Sequence, residues 1–427
     1  MKGISIGLLL FIAIVFLIDL YVFKGLQGLS RKWRFLAKKW FKIAYIIASV
    51  FLLSSLLFVV YVKVDFGVRL VFIVLFFAVQ LFNICFTLFL LVDDVRRSVL
   101  YLRKKAVKDT HEPADSKPKT TTDTIPRSEF LLKAGLLAGA VPLAAFRLEM
   151  HKGLYDYQVK HQTLYLPNLP KAFDGLKLGQ ISDIHSGSFY HKTAVRGGVE
   201  MLMKEKPDLV FFTGDLVNVF SNEMRDYQDI FNKVRAPLGV FSTLGNHDYG
   251  DYADWESPAA KKKNFDEITA THKNLGWDLL RNENRRLKID NEEIGILGIE
   301  NWGDLSRFPK YGKMDLAVKN TDDLPVKLLL SHDPSHWRAQ VLPQYPQIDM
   351  AFAGHTHGMQ FGIRTEHFRW SPVEYLYKEW AGLYREGKQQ IYVNVGYGFY
   401  GFDGRVGIMP EITIFTLKAA PDPALLT

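Results

Sequence analysis

The sequence predicts an α+β protein: a large domain of strands and helices preceded by N-terminal transmembrane helices. Three observations carry that expectation. The first is a set of apolar runs at 3–23, 43–62 and 68–92, each about 20 residues or longer and so able to cross about 30 Å of hydrocarbon. The second is a polar stretch at 109–126, rich in Pro, Thr and Asp, with the composition of a flexible linker. The third begins near residue 150, where short β-branched and aromatic runs of strand length alternate with helical stretches. The chain therefore divides into 1–95 for three transmembrane helices, 96–126 for a basic then polar linker, 127–148 for a fourth membrane or export-signal-like segment, and 150–427 for the large domain.

A cleaved signal peptide accounts for neither the second nor the third run, and the first lacks a small-residue cleavage site. The first connection carries Lys24, Arg31, Lys32, Arg34, Lys38, Lys39 and Lys42, and the third run is followed by Arg96, Arg97, Arg103, Lys104, Lys105 and Lys108. Positive-inside logic places both connections in the cytoplasm and the N-terminus outside. The net charge of +8 resides largely in these juxtamembrane clusters, so nucleic acid is not an expected partner. Residues 127–146 resemble a twin-arginine export segment with one arginine, Arg127, and an apolar part interrupted by Pro142. If this segment crosses the bilayer, the large domain lies outside the cytoplasm, and that is the expected arrangement. Asp19 and Asn83 are too sparse for a transport pathway, so anchoring is the expected role of the spans.

Within the large domain, a helix is expected over 192–206 and another over 222–234. Residues 248–264 read as an exposed, charge-rich loop of solvated surface, with a lid over the substrate headgroup as the alternative, and 292–300 and 390–396 as strands of a second sheet. The aromatic stretch from His367 to Tyr384 has Leu376, Trp380 and Leu383 at helical spacing, which predicts a packed helix; its alternative is an apolar wall for an acyl chain.

Five stretches in this domain concentrate ligand-type side chains: SDIH (182–185), TGDL (213–216), LGNHD (244–248), LLSHD (329–333) and AGHTHG (353–358). Each follows an apolar strand-like run, so Asp183, His185, Asp215, Asn246, His247, His332, His355 and His357 fall on loops at the carboxyl ends of strands. Open α/β sheets build their sites there. Singly the motifs are weak, since Gly-Asp is an ordinary turn pair; their joint occurrence points to a dinuclear metal centre. Carboxylate, amide and imidazole donors suit Mn, Fe or Zn, and the lone Cys85 excludes a four-cysteine zinc cage. Two divalent ions about 4 Å apart clamp the oxygens of an in-line phosphoryl displacement and generate hydroxide near neutral pH.

This ordered set, Asp-x-His, Gly-Asp, Gly-Asn-His-Asp, His and Gly-His-x-His, resembles the calcineurin-like metallophosphoesterases over roughly 150–420. The finer similarity is to their membrane-associated YkuE and YaeI branch, which includes hydrolases of a lipid A precursor. The resemblance implies a two-sheet sandwich with helices on its outer faces. It implies Asp183, His185 and His357 on one metal, Asp215 bridging, and Asn246, His332 and His355 on the other. It makes His247 the non-ligand histidine that assists the transition state, with Asp248 orienting its ring, and a bridging hydroxide the attacking group. Two departures bear on substrate: Met359 stands where relatives carry a second glycine, and Val395 where they often carry arginine. Arg405, further along, reads either as a ligand for a substrate phosphate or as a surface strand arginine. His111, His151, His161, His191, His272, His336 and His367 read as structural or surface residues, with His336 the one nearest the site.

The leading expectation is a membrane-anchored, two-metal phosphoesterase acting on a phosphodiester or pyrophosphate, with lipid-linked esters among the candidate substrates. UDP-diacylglucosamine is the alternative substrate and requires a cytoplasmic site. A non-catalytic membrane scaffold or sensor is the second alternative, disfavoured by the intact ligand set and His247.

Overall fold

The computed structural model describes residues 6–29, 33–61, 66–109, 128–365 and 368–420. The chain forms two compact units, Met1–Leu148 and Glu149–Thr427. The expected linker from 110, His111, Arg127 and His367 lie outside the described residues.

The first unit is helical: Ile6–Gln27, Lys39–Tyr61, Phe66–Asp109 and most of Glu129–Gly153. Among the described residues, Leu10–Gln27 and Leu75–Lys105 are long and apolar enough to cross a membrane. The stretch from 96, expected to open the linker, is instead helical through Asp109, because the third helix runs for 44 residues. At 1.5 Å per residue that is roughly 66 Å, about twice the hydrocarbon thickness. Its basic extension is braced by Arg96–Asp93 and Arg97–Asp94 pairs at 2.8 and 3.1 Å. Inside the bundle Asn83 donates to the Asp19 carboxylate at 2.6 Å, so these two buried polar groups satisfy one another. A Cβ on Gly135 or Gly139 would press into the rings of Phe86 and Phe82, the close approach that small residues permit between membrane helices.

The second unit is α+β with two six-stranded mixed sheets. The first runs, edge to edge, Gln158–Tyr165, Glu411–Lys418, Lys177–Ile181, Leu209–Phe212, Val240–Ser242 and Asp278–Leu279; the last four are mutually parallel. The second runs Gly382–Glu386, Gln389–Val393, Met350–Ala353, Lys327–Leu330, Glu292–Gly298 and Glu283–Ile289, parallel through its four central strands. Period-two alternation sorts their side chains. Leu209, Phe211, Leu328, Leu330, Met350 and Phe352 join one core between the sheets. Val210 and Phe212 pack instead with Val195, Val199 and Leu202 of the helix Lys192–Lys204. Leu329, Ala351 and Ala353 pack with Trp337 and Val341 on the opposite side. Both faces of each sheet are covered, which explains why the strands read as continuous apolar runs. Phe211 and Phe352 meet edge to face across the sandwich, with ring centroids 5.0 Å apart.

Three local expectations are corrected. Residues 222–234 form a 3-10 segment, Ser221–Asp226, and a short helix, Gln228–Phe231, interrupted at Tyr227 with φ −125°. The expected loop at 248–264 ends early. Ser257 caps a helix, Pro258–Leu275, by accepting from the Ala260 N–H at 3.1 Å, with Pro at the first helical position. The stretch 368–384 is not a helix. It comprises a short strand at Arg369–Trp370, a 3-10 turn at Pro372–Tyr375 and a strand beginning at Gly382, whose φ is +78°. The residues at helical spacing do not share one face, since Trp380 is buried and Leu376 exposed.

His272 is buried on the Pro258–Leu275 helix, with Nδ1 on the Ser242 hydroxyl at 2.9 Å and burial pushing its pKa down to about 3. The unfolded chain binds this proton near pH 6.5 and the folded chain does not, so stability present above pH 6.5 is lost as pH falls toward 3. The slope is about 1.4 kcal/mol per pH unit for such a group. In detergent, the melting temperature of His272→Gln is expected to fall less steeply between pH 6.5 and 4 than that of the parent. Parallel curves would exclude His272 as a source of acid lability.

Candidate metal centre

The strands Lys177–Ile181, Leu209–Phe212 and Val240–Ser242 are parallel neighbours in one sheet, and Lys327–Leu330 and Met350–Ala353 in the other. The ligand-type residues of each motif lie within a few residues beyond the end of one of these strands, so parallel pairing carries their loops to the strands' carboxyl ends. The two sheets are joined beneath them: Gln180 donates to the Thr213 hydroxyl and to the Ala353 carbonyl, both at 3.0 Å.

Two groups of potential metal-binding atoms result. Asp183, His185 and His357 form one, and Asp215, His332 and His355 the other, each with its ligand atoms within 4.8 Å of one another. Asp215 touches both, because its Oδ2 lies 3.4 Å from His185 Nε2 and 3.2 Å from His332 Nε2. His357 Nε2 is 3.4 Å from Asp183 Oδ1. Asn246 and His247 are buried on the neighbouring loop, where the His247 backbone N–H donates to Asp215 Oδ1 at 2.8 Å.

The donor set fits divalent ions on grounds internal to this structure. His332 Nδ1 donates to the Thr213 carbonyl at 2.7 Å and His185 Nδ1 to the Asn218 side-chain oxygen at 3.1 Å. In the neutral rings both Nε2 atoms therefore present lone pairs to the same carboxylate oxygen, an arrangement that requires a shared cation or a proton. Where no cation joins them, a proton does this work. Burial opposes the charged form, but Asp215 and Asp183 together push His332 up to about 10. Asn246 Oδ1 and His357 Nε2 are buried and without a hydrogen-bond partner, the condition expected of metal-ligand atoms. Burial also lifts Asp183 to about 6 against the pull of His332.

The backbone is strained at the same positions. Asp183, His185, Asp215, His355 and His357 adopt φ of 52°, 48°, 60°, 73° and 50°. Left-handed backbone costs a non-glycine residue about 1–2 kcal/mol and gathers at functional sites. Close approach also demands glycine: a Cβ on Gly245 would collide with the Asp215 carboxylate, and one on Gly354 with that of Asp183.

Two expected roles change. Asp248 does not orient the His247 ring; its carboxylate accepts from the backbone N–H groups of Asp215, Leu216, Val217 and Gly245 at 2.8–3.3 Å. It pins the Asp215 loop to the Asn246 loop. The His247 ring is held by Asn218, whose carbonyl accepts from Nδ1 at 2.8 Å. Arg405 is neither at the surface nor directed at a substrate. It is fully buried and donates to the carbonyls of Val395, Gly398 and Ile408 at 2.6–3.0 Å, with its guanidinium 3.3 Å from His357 Nδ1. His336 is buried but bonded to Ser331 and Gln340, and it contributes to neither group.

Sequence reasoning missed several positioning residues. Asn218 serves His185 through its side chain and His247 through its carbonyl, and Glu223 in turn holds the Asn218 N–H at 2.6 Å. The Tyr377 hydroxyl lies 2.8 Å from His355 Nε2. Tyr252 and Tyr400 pack on His247 at ring-centroid distances of 4.5 and 4.3 Å. The only available signals were proximity of Asn218 to the Gly-Asp motif and the aromatic density around Tyr377.

Comparison with known proteins agrees with this geometry. Residues 176–359 match the calcineurin-like phosphoesterase family. Residues 3–154 match the 4TM phosphoesterase family, described as a calcineurin-like phosphoesterase transmembrane domain. The chain is 29% identical over 260 residues to the uncharacterized metallophosphoesterase YkuE of Bacillus subtilis, covering 59% of this chain and 82% of that one. It is 29% identical over 262 residues to a transmembrane protein with metallophosphoesterase domain of Danio rerio, covering 59% of this chain and 55% of that protein, about half its length. It is 25% identical over 265 residues to the phosphodiesterase YaeI of Escherichia coli, covering 61% and 87%. The chain belongs to the calcineurin-like phosphoesterases, in the branch that joins such a domain to a transmembrane segment. It is a metal-dependent phosphoesterase associated with a membrane.

Asp248→Asn replaces one of two accepting oxygens by a donor, stranding buried N–H groups at about 1–3 kcal/mol each. Its melting temperature and its bound-metal stoichiometry are both expected to drop below the parent's. Full metal occupancy in this variant would show that the Asp215 loop needs no such anchor.

Proposed function

We propose that the chain hydrolyses a lipid-linked phosphodiester or pyrophosphate at a two-metal centre built from Asp183, His185, Asp215, Asn246, His332, His355 and His357. The observation that carries this reading is the Asp215 carboxylate shared by both ligand groups. Bound there, two divalent ions supply an activated water and a clamp on the phosphoryl oxygens. The protein's own residues do the rest. The Asn218 carbonyl can only accept, so His247 Nδ1 carries a proton and the Nε2 lone pair is left to take a second one from the attacking water and return it to the leaving oxygen. Burial holds this ring neutral, with a pKa of about 4 in the metal-free chain. Tyr252 and Tyr400 wall the ring against water.

A lipid-linked substrate is supported by the surface that follows the metal loop. The chain leaves Gln360 into a two-stranded hairpin, Ile363–Arg364 with Arg369–Trp370, then returns so that Tyr377 meets His355. Ile363, Phe368, Tyr375 and Leu376 stand exposed along it, Tyr375 at 75%. Aromatic and aliphatic side chains of this kind suit an acyl chain or the headgroup layer.

Hydrolysis of a chromogenic phosphodiester is expected only with added divalent metal, Mn first among the candidates. Asp215→Ala should lose metal and activity together. His247→Ala should retain metal and lose roughly 10²-fold or more in rate; parental turnover in that variant would refute the role given to this ring.

The basic loops and the fourth helix support a catalytic domain outside the cytoplasm. Alkaline phosphatase and fluorescent-protein fusions after Thr427 test this directly, with phosphatase activity and no fluorescence expected. Fluorescence alone would reverse the orientation and make a nucleotide-linked precursor such as UDP-diacylglucosamine the leading substrate.

A further inference from the structure

With Arg405 buried behind His357, the centre lacks the cation that the sequence offered for a substrate phosphate. Arg307 stands in the right place. It is exposed on the loop between Trp302 and Lys310. Its guanidinium lies over the Phe308 ring at 4.6 Å, and that ring meets His355 edge-on at 4.7 Å. The Arg307 charge also acts on the Tyr377 hydroxyl, itself 2.8 Å from His355 Nε2. Its charge acts on His355, Asp333 and Tyr252, three groups around the second ligand set.

Neighbouring cations are otherwise engaged. Lys310 pairs with Asp304, Lys261 with Asp251, Arg281 with Glu300 and Arg338 with Glu379. Arg307 has no ion-pair partner among the described residues. A guanidinium carries five N–H donors in a planar fork that matches phosphate bidentately. The Phe308 ring, 4.6 Å beneath the guanidinium, keeps that fork on the His355 side.

We propose that Arg307 binds the anionic phosphate of the substrate on the His355 side of the metal centre. The inference rests on the phosphoesterase reading and names the side chain that recognises the phosphate. Phe308 then has a double function, meeting both His355 and the arginine that faces the substrate.

The test is calorimetric titration of inorganic phosphate into the full-length, metal-loaded chain in detergent, with bound metal and melting temperature measured in parallel. Arg307→Ala is expected to weaken phosphate binding by about 10-fold or more, the usual effect of losing a charge-assisted hydrogen bond. Arg307→Lys should recover part of that loss, with metal content and melting temperature parental in both. KM for the chromogenic phosphodiester should rise with the loss of affinity while kcat changes less. Parental phosphate affinity in Arg307→Ala overturns the proposal. So does a parent chain that binds no phosphate, or an affinity loss that tracks a loss of metal, which would reduce Arg307 to a support for Tyr377 and His355. Arg307-dependent binding in a chain without hydrolytic activity would uphold this inference and defeat the phosphoesterase reading instead.

Discussion

One carboxylate oxygen, Asp215 Oδ2, lies within 3.4 Å of an imidazole from each ligand group, and the architecture around it serves to keep it there. Burying a carboxylate among lone pairs is unfavourable unless cations join them. The surrounding protein makes that burial unavoidable. Thr213 and Asn218 commit the Nδ1 protons of His332 and His185, while Asp248 and the His247 N–H fix the Asp215 loop and its second oxygen. Hydrogen bonds within the protein therefore orient these side chains, and much of the cost of ordering them is met by folding.

That cost is visible in the backbone. Five ligand-type residues hold left-handed φ values, and Gly245 and Gly354 let the main chain run against the Asp215 and Asp183 carboxylates. Such strain persists only where packing over-determines it. Here the over-determination comes from the inter-sheet core, with Phe211 on Phe352, and from Gln180, which ties the ends of strands in different sheets. Fold stability and metal geometry are coupled at the seam of the sandwich. Core variants at Phe211 or Phe352 act at a distance on the centre because the loops leave directly from those strands.

Around the metal groups, single residues act for more than one ring. Asn218 orients His185 and His247 together, so a ligand and a proton-carrying ring move as one body. Tyr377 and Phe308 both touch His355, one by a hydrogen bond and one edge-on. The stretch that supplies Tyr377 also carries the exposed apolar hairpin. Surface and metal site are thus connected by a short covalent path, and a lipid surface contacting the hairpin would act close to His355.

The sequence by itself determined the features that depend on local order. Apolar runs of strand length, each followed by Asp, Asn or His, specified which side chains would meet, because parallel neighbours necessarily bring their carboxyl ends together. Runs of about 20 apolar residues likewise specified helices, two of which among the described residues are long and apolar enough to cross a membrane. What depends on contacts between distant segments was decided only by tertiary structure. Asp248 reads as the partner of its neighbour His247, yet its oxygens are taken by N–H groups some 30 residues away. Arg405 reads as a surface strand residue, yet carbonyls of a curled loop enclose it. Leu376, Trp380 and Leu383 read as a helix face, yet hydrogen bonds from Thr356 to the Trp380 carbonyl and from Ser371 to the Gly358 carbonyl draw the segment out along the metal loop. Periodicity reports how a segment would fold on its own; these segments obey partners that periodicity does not record.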